Sequence, residues 1–325
     1  MSQRVLCLRP QADFARVGVA PPEALDVTYR APGEAEVPAL MHSVQALVIP
    51  AVGPKLDAAL FADTPLQIVQ VTGAGVDRLD RTVLLQRGIP VCNVPGGSNA
   101  AVAEYAVTVA ATLLRRFAWS DAEIHAGNYV SFRQRLLADN VGGLEDLVVG
   151  VVGLGTIGKA VARAFAGAGC RIGYHDPALT DVPALPFEAQ AMTLDDLLRS
   201  CDVITLHVPL VDATRKLIDA RALSLMKRDA ILINAARGGV VDEAALADAL
   251  RDGRLGGAAM DVYSTEPPDR ANPLLALTGD AARRLLLTPH VAGVTRQSSA
   301  YLFREAWRNV ARVLIDREAP LNRVY

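Results

Sequence analysis

Nowhere in its 325 residues does the chain have an apolar run long enough to cross a bilayer. The longest stretch without a charged side chain, Val37 to Pro54, is broken by Pro38, Pro50 and Pro54, so no membrane partner is expected. The first apolar run, Val5 to Leu8, lies between Arg4 and Arg9 and is too short for a secretory leader. Neither sign of charge is in excess: 33 Lys and Arg oppose 35 Asp and Glu, and neither is gathered into a run. A basic face for nucleic acid is therefore not expected. Cysteine is scarce, and Cys7, Cys92, Cys170 and Cys201 form no CxxC pair, which suits reduced thiols in a cytoplasmic protein. The five histidines are scattered too, with no HxxxH or Cys/His pair, so no metal site is expected. What remains is an ordinary globular composition, 51% hydrophobic and 21% charged, of a length that suggests two domains.

Short β-rich runs alternate with helical patterns throughout, the pattern of parallel sheets joined by crossover helices. Five runs precede residue 99: Val5–Leu8, Leu25–Tyr29, Ala46–Ile49, Gln67–Val71 and Pro90–Cys92. Six follow residue 146: Leu147–Val152, Arg171–His175, Asp202–Val208, Ala230–Ala235, Gly257–Val262 and Leu285–Thr288. The fold class is thus α/β, with two doubly wound parallel sheets. Between the two groups, Asn99–Arg116 has no Gly or Pro and is rich in Ala and Val, which predicts one long, closely packed helix. Thr295–Arg317 predicts an amphipathic helix able to return the chain to the first domain. Asn128–Asp146 shows no regular pattern and suggests an extended arm.

The run Leu147–Val152 leads directly into Gly153-Leu154-Gly155-Thr156-Ile157-Gly158, and a helical pattern follows. This is GxGxxG in its strand–turn–helix setting. Gly153 permits the turn, Gly155 lets a pyrophosphate approach the backbone, and Gly158 lets helix and strand pack closely. The helix start then offers N–H groups and partial positive charge to phosphates. The same residues approach the phosphate loop of nucleotide hydrolases, but Ala160 stands where that loop needs a hydroxyl for Mg²⁺. Asp176 ends the next strand, 23 residues after Gly153. A carboxylate there accepts from ribose hydroxyls and repels a 2′-phosphate, so NAD, as NADH, is expected over NADPH.

Three later strands each end at an ionisable residue. Ile231–Ala236 runs into Arg237, Ala258–Tyr263 leads to Glu266, and Leu285–Pro289 ends at His290. Carboxyl ends of parallel strands face the ligand crevice, so these three and the glycine loop are expected to converge. Reduction of a 2-oxo acid by hydride needs such a set. His can protonate the developing alkoxide near neutral pH, a carboxylate can orient it, and Arg can polarise the carbonyl and pair with the substrate carboxylate. Each alone has a plain reading: a salt-bridging Arg, a solvated Glu, a helix-capping His. Their repetition at three strand ends favours a shared site.

Longer patterns now resemble a known family, the D-isomer-specific 2-hydroxyacid dehydrogenases. They are Met226 to Asp242 (MKRDAILINAARGGVVD), Val71 to Asp77, Asn93 to Asn99 with Val102-Ala103-Glu104, and Leu206 to Leu210 with Thr214. The resemblance covers essentially the whole chain. It implies that Arg237 binds substrate, that His290 is the acid/base and that Glu266 is its partner. Backbone N–H groups around Gly73, Ala74 and Gly75 would hold the substrate carboxylate, although a glycine turn after a strand explains that loop equally well. Asp261 would meet the nicotinamide carboxamide, with Asn234 and Thr288 as supporting neighbours. His207, Val208, Pro209, Thr214 and Ala235 would line the cofactor beside the glycine loop. The implied organisation is a flavodoxin-like substrate domain (1–98 plus 292–325), a Rossmann NAD-binding domain (99–291) and a homodimer.

Departures narrow the substrate. Formate enzymes carry Gln where Glu266 stands, phosphoglycerate enzymes an Arg-Ser pair where this chain has Pro50-Ala51, and phosphite enzymes a Lys where it has Thr72-Gly73-Ala74. A small 2-oxo acid with an uncharged tail is left, of the glyoxylate, hydroxypyruvate or pyruvate type, with 49–54 lining the variable end of its pocket. The alternative is an NAD(H)-sensing binding protein of the same fold, akin to the family's corepressors. Those usually carry flexible tails, whereas this chain ends at Tyr325 soon after its last helical pattern.

Overall fold

Aliphatic and β-branched runs become the inner strands of two sheets in the computed structural model, which describes residues 3–179 and 184–325. Two units result, Met1–Ser98 with Val294–Tyr325, and Asn99–Gly293. In the first, β1 (Gln3–Cys7), β2 (Leu25–Tyr29), β3 (Ala46–Ile49), β4 (Ile68–Val71) and β5 (Val91–Cys92) lie in the order β2-β1-β3-β4-β5, every neighbour parallel. β3 and β4 are buried at every position, as strands covered on both faces must be. The helix Arg296–Leu314 belongs to this unit and buries Leu302, Phe303, Ala306, Trp307 and Val310 in its core. Thr295 caps that helix, accepting from Ser298 N–H at 3.0 Å while the Ser298 hydroxyl accepts from Thr295 N–H. Beyond the helix the chain turns back along β5. Val324 N–H donates to Val91 O (2.7 Å) and Val91 N–H to Tyr325 O (3.0 Å), with an antiparallel bridge between Cys92 and Arg323.

The second unit holds β6 (Val148–Val152), β7 (Arg171–His175), β8 (Ala189–Ala191), β9 (Val203–Leu206), β10 (Ile231–Asn234), β11 (Gly257–Met260) and β12 (Leu285–Leu287). Their order is β12-β11-β10-β9-β6-β7-β8, again all parallel. The direction of winding reverses at β6, which lies between β7 and β9, and its C-terminal end is where a ligand crevice forms in such sheets. β8, at the edge, was not legible in the sequence. It has three residues, Ala-Gln-Ala, none β-branched and none fully buried.

The long helix spans Asn99–Leu114 and packs Ala103, Ala106 and Ala110 against Val161, Ala162 and Phe165 of the helix Thr156–Gly167. It stops short of the expected end because Arg116 takes a left-handed φ of 52°. The expected extended arm is a correction: Tyr129–Ala138 is a helix. Phe132 is its one buried residue, its ring tilted against that of Trp119 with centroids 5.3 Å apart, and the Asp139 carboxylate beyond its end pairs with Arg116. One apolar anchor and a surface ion pair leave no periodic hydrophobic face, which is why the pattern gave no helical signal.

Candidate active site

The cofactor end of the second unit is built by close approaches of backbone. Gly153 has φ 88°, and a Cβ there would lie 2.6 Å from the His207 carbonyl oxygen. A Cβ on Gly158 would lie 2.0 Å from the Gly153 carbonyl oxygen, whereas one on Gly155 would meet nothing within 4 Å. The turn is thus closed on the protein side and open where Gly155 faces outward, at the start of the twelve-residue helix from Thr156 through Ile157 to Gly167. That is the cradle a pyrophosphate needs. Asp176 accepts from Leu154 N–H on Oδ2 (2.7 Å) and from Ala178 N–H on Oδ1 (3.0 Å), so it ties the glycine loop to the end of β7. A cavity of about 800 Å³ opens beside it, lined by Tyr174, His175, Asp176 and Met192 among others.

After β9, His207 continues the ladder by donating its N–H to Val152 O (2.8 Å). Its Nε2 sits 2.8 Å from the Thr205 hydroxyl, and burial lowers its pKa to about 3, so the ring is neutral. Val208 and Pro209 follow. Thr214 shapes this loop, donating to Pro209 O (2.6 Å) and accepting from Val211 N–H (2.9 Å).

The other half of the same sheet edge carries the charges. Asn234, fully buried, accepts from Ala236 N–H (3.1 Å) and donates to Arg237 O (3.1 Å), folding the turn after Ala235 that presents Arg237. A Cβ on Gly238 would lie 1.8 Å from Tyr263 O, so only glycine lets this turn seat against the loop after β11. In that loop Glu266 accepts from Tyr263 N–H through Oε1 (3.0 Å), and Oε2 lies 2.8 Å from His290 Nδ1. His290 Nε2 has no hydrogen-bond partner among the described residues. Burial pushes the Glu266 carboxyl up. The hydrogen bonds from His290 and Tyr263, with the charges of His290 and Arg237, outweigh it and hold the group below its ordinary value. Glu266 is therefore ionised at neutral pH.

His290 itself has φ 54°, a conformation costly for a side-chain-bearing residue, and it is held there by backbone. Its N–H donates to Asp261 O (2.8 Å). The Asp261 carboxylate accepts from the Thr288 hydroxyl (2.5 Å), Val291 N–H (2.8 Å) and Ala292 N–H (2.8 Å), and so gathers the whole loop around the imidazole. Tyr105 on the long helix joins this chain through the Thr288 hydroxyl at 2.7 Å.

In the first unit, Gly73-Ala74-Gly75 follows β4. Val94 N–H donates to Gly73 O (2.9 Å) and the Asn93 side chain to Ala74 O (2.7 Å). Neither Ala74 nor Gly75 donates its backbone N–H to any described residue, so two donors in succession are available.

The second unit thus brings Glu266 and His290 into direct contact, with Arg237 near enough to act on the Glu266 charge. Sequence reasoning missed Tyr105 and Glu243. Glu243 accepts from Ser264 N–H (2.6 Å) and the Asn272 side chain (2.7 Å), and so shapes the Glu266 loop. Only their positions beside matched motifs pointed to them: Tyr105 after Glu104 and Glu243 after Asp242. Among the described residues no group of three His, Cys, Asp or Glu is arranged to hold a metal ion, and no helix is long and apolar enough to cross a membrane.

Comparison with known proteins identifies the family. Residues 107–292 match the model of the D-isomer specific 2-hydroxyacid dehydrogenase NAD binding domain. An (S)-sulfolactate dehydrogenase from Chromohalobacter salexigens is 38% identical over 263 residues, 80% of this chain and 82% of that protein. A D-3-phosphoglycerate dehydrogenase from Archaeoglobus fulgidus is 35% identical over 269 residues, and there the match takes in 82% of this chain but only 49% of the relative, about half its length. The solved NADPH-dependent glyoxylate/hydroxypyruvate reductase of Sinorhizobium meliloti, in complex with NADP and malonate, superposes with a TM-score of 0.81 at 26% identity over 100% of this chain and 97% of that one. With both the glycine-loop domain and most of the chain accounted for, this protein belongs to the D-isomer specific 2-hydroxyacid dehydrogenase family.

Proposed function

We propose that the protein is an NAD-dependent dehydrogenase interconverting a small 2-oxo acid, of the glyoxylate, hydroxypyruvate or pyruvate type, with its (R)-2-hydroxy acid. The observation that carries this reading is the pair His290–Glu266, joined at 2.8 Å through Nδ1, with Nε2 left to exchange a proton. A bound nicotinamide would supply the hydride chemistry at the carbonyl carbon. His290 would pass a proton from Nε2 to the carbonyl oxygen as that oxygen gains charge, and take it back in oxidation. Glu266 stays ionised and keeps the imidazole oriented. Arg237 pairs with the substrate carboxylate and polarises the carbonyl. Within the first unit, the N–H groups of Ala74 and Gly75, with Gly73 setting the turn, are two donors suited to a carboxylate oxygen.

On the cofactor side, the reading gives the pyrophosphate to Gly153–Gly158 and the adenosine ribose to Asp176. His207, Val208, Pro209, Thr214 and Ala235 line the remainder, and Asp261 faces the carboxamide. Asp176 is the reason to expect NADH over NADPH, since its charge opposes a 2′-phosphate. All four cysteines are buried free thiols, which fits the reducing cytoplasm. A homodimer is part of the reading. Phe117, Ile124, Tyr129, Val130 and Leu137 are each about half exposed or more on the helices Phe117–His125 and Tyr129–Ala138, an apolar surface suited to a second copy.

The test is oxidation of NADH and of NADPH with glyoxylate, hydroxypyruvate and pyruvate, alongside a binding titration of each cofactor. Turnover with NADH supports the reading. Tight NADH binding with no turnover across the panel replaces the enzyme by a nucleotide-sensing protein.

A further inference from the structure

One buried cation takes no part in the site described above. Arg78, which follows the Gly73–Asp77 loop, is 3% exposed and has no carboxylate partner among the described residues. Its guanidinium donates to two carbonyls of the loop after β3: Nη1 to Pro50 O (3.0 Å) and Nε to Pro54 O (2.9 Å). Its own carbonyl accepts from Leu56 N–H (2.8 Å). Between these anchors lies Gly53, with φ 131°, where a Cβ would stand 3.1 Å from the Arg78 guanidinium carbon. Pro50 and Pro54 have no N–H of their own, so this loop has few backbone donors with which to fix its shape. Arg78 Nη2 is buried and has no hydrogen-bond partner among the described residues.

We infer that Arg78 is a positioning residue that selects the substrate: by clamping Pro50 and Pro54 it sets the surface of the 50–54 loop against which the tail of the 2-oxo acid is read. This rests on the proposed function, which gives the loop after β4 to the carboxylate, and takes 49–54, the loop after β3, as the variable end of the pocket that the family resemblance implies. Arg78 ties the two together, since it extends from the first and grips the second. The clamp is a matter of fork geometry more than of charge. A guanidinium spans two carbonyls with fixed N–H directions, whereas an ammonium is a single mobile point charge. Glyoxylate, which carries only hydrogen beyond its carbonyl, makes no use of the tail surface.

The experiment measures kcat/KM for glyoxylate, pyruvate, hydroxypyruvate and 2-oxobutyrate in the wild type and in Arg78→Met, Arg78→Lys and Gly53→Ala, with thermal unfolding and NADH affinity followed in parallel. The expected result is that the ratio of the best tailed substrate to glyoxylate falls about tenfold in both Arg78 variants, the scale of one lost apolar contact. NADH affinity should not change. Gly53→Ala keeps the charge but crowds the clamp, and should move the same ratio. It also decides the matter should the Arg78 variants fail to unfold cooperatively. Three outcomes overturn the inference: an equal fall for all four acids, an unchanged ratio, or full recovery of the ratio by Arg78→Lys, which would make charge the determinant. A wild type inactive on every acid would instead sink the proposed function.

Discussion

Among the described residues two charged side chains are fully buried, one in each unit: Asp261, 1% exposed, and Arg78, 3% exposed. Each grips a functional loop by its backbone, and they do so in opposite senses. Asp261 collects N–H groups of adjoining residues, Val291 and Ala292, with the Thr288 hydroxyl, and both its oxygens are engaged. Arg78 collects carbonyls four residues apart and leaves Nη2 unpaired. The first arrangement forces a tight loop and can hold His290 at a positive φ. The second spans a wider loop whose shape rests on two hydrogen bonds and a glycine. A buried charge used to hold backbone thus fixes the loop around His290 closely in one unit and the 50–54 loop more loosely in the other.

The comparison is broken most decisively at His290. If the Asp261 loop exists to present that ring, His290→Asn should lower turnover by ~10²–10⁴-fold while NADH affinity is retained, as read by steady-state rates and a binding titration. Unchanged turnover would leave the Asp261 loop without a catalytic purpose. Next in size, Asp261→Ala strands Val291 and Ala292 N–H groups in the interior. Urea unfolding should show a loss of about 3 kcal/mol.

His207 sharpens the contrast, because it is a titratable group buried without charge. Its pKa is lowered to about 3, against an ordinary value near 6.5. The unfolded chain therefore binds a proton that the folded chain refuses. The resulting stability is complete above pH 6.5 and is lost as pH falls from there toward 3. Between pH 7.5 and 5 this amounts to about 1–2 kcal/mol, and His207→Gln should remove that portion of the pH dependence of urea unfolding. The smallest effect sets the surface scale for a carboxylate that gathers N–H groups. Asp242 caps the helix Glu243–Arg251, accepting from Ala244 and Ala245 N–H, and ion-pairs with Lys216. Asp242→Ala should cost only about 1 kcal/mol by thermal or urea unfolding.

The strands with continuous Val, Ile and Leu were legible in the sequence because burial on both faces leaves no alternation to misread. Ala46–Ile49 and Arg171–His175 begin and end where expected. The glycine loop, Asp176 and the Glu266–His290 pair were legible for a different reason: each stands where a parallel strand ends, and strand ends share one edge. β8 and the helix Tyr129–Ala138 were not, since one has no β-branched residue and the other a single buried anchor. Arg78 was the least visible. In the sequence it is one of 33 basic residues, and only the folding of 50–56 over it makes it an interior group. Asp261 was visible but its work was not. The expected contact was the carboxamide, whereas the hydrogen bonds it makes within the protein go to the loop that carries His290.

The segment running back along β5 bears on how this protein can be handled. Asn322, Val324 and Tyr325 occupy hydrogen-bonding groups on the outer flank of the first sheet. Trimming these few positions, or pulling them away with a bulky fusion, would lay bare a row of unpaired amides and carbonyls ready to recruit a strand from another molecule.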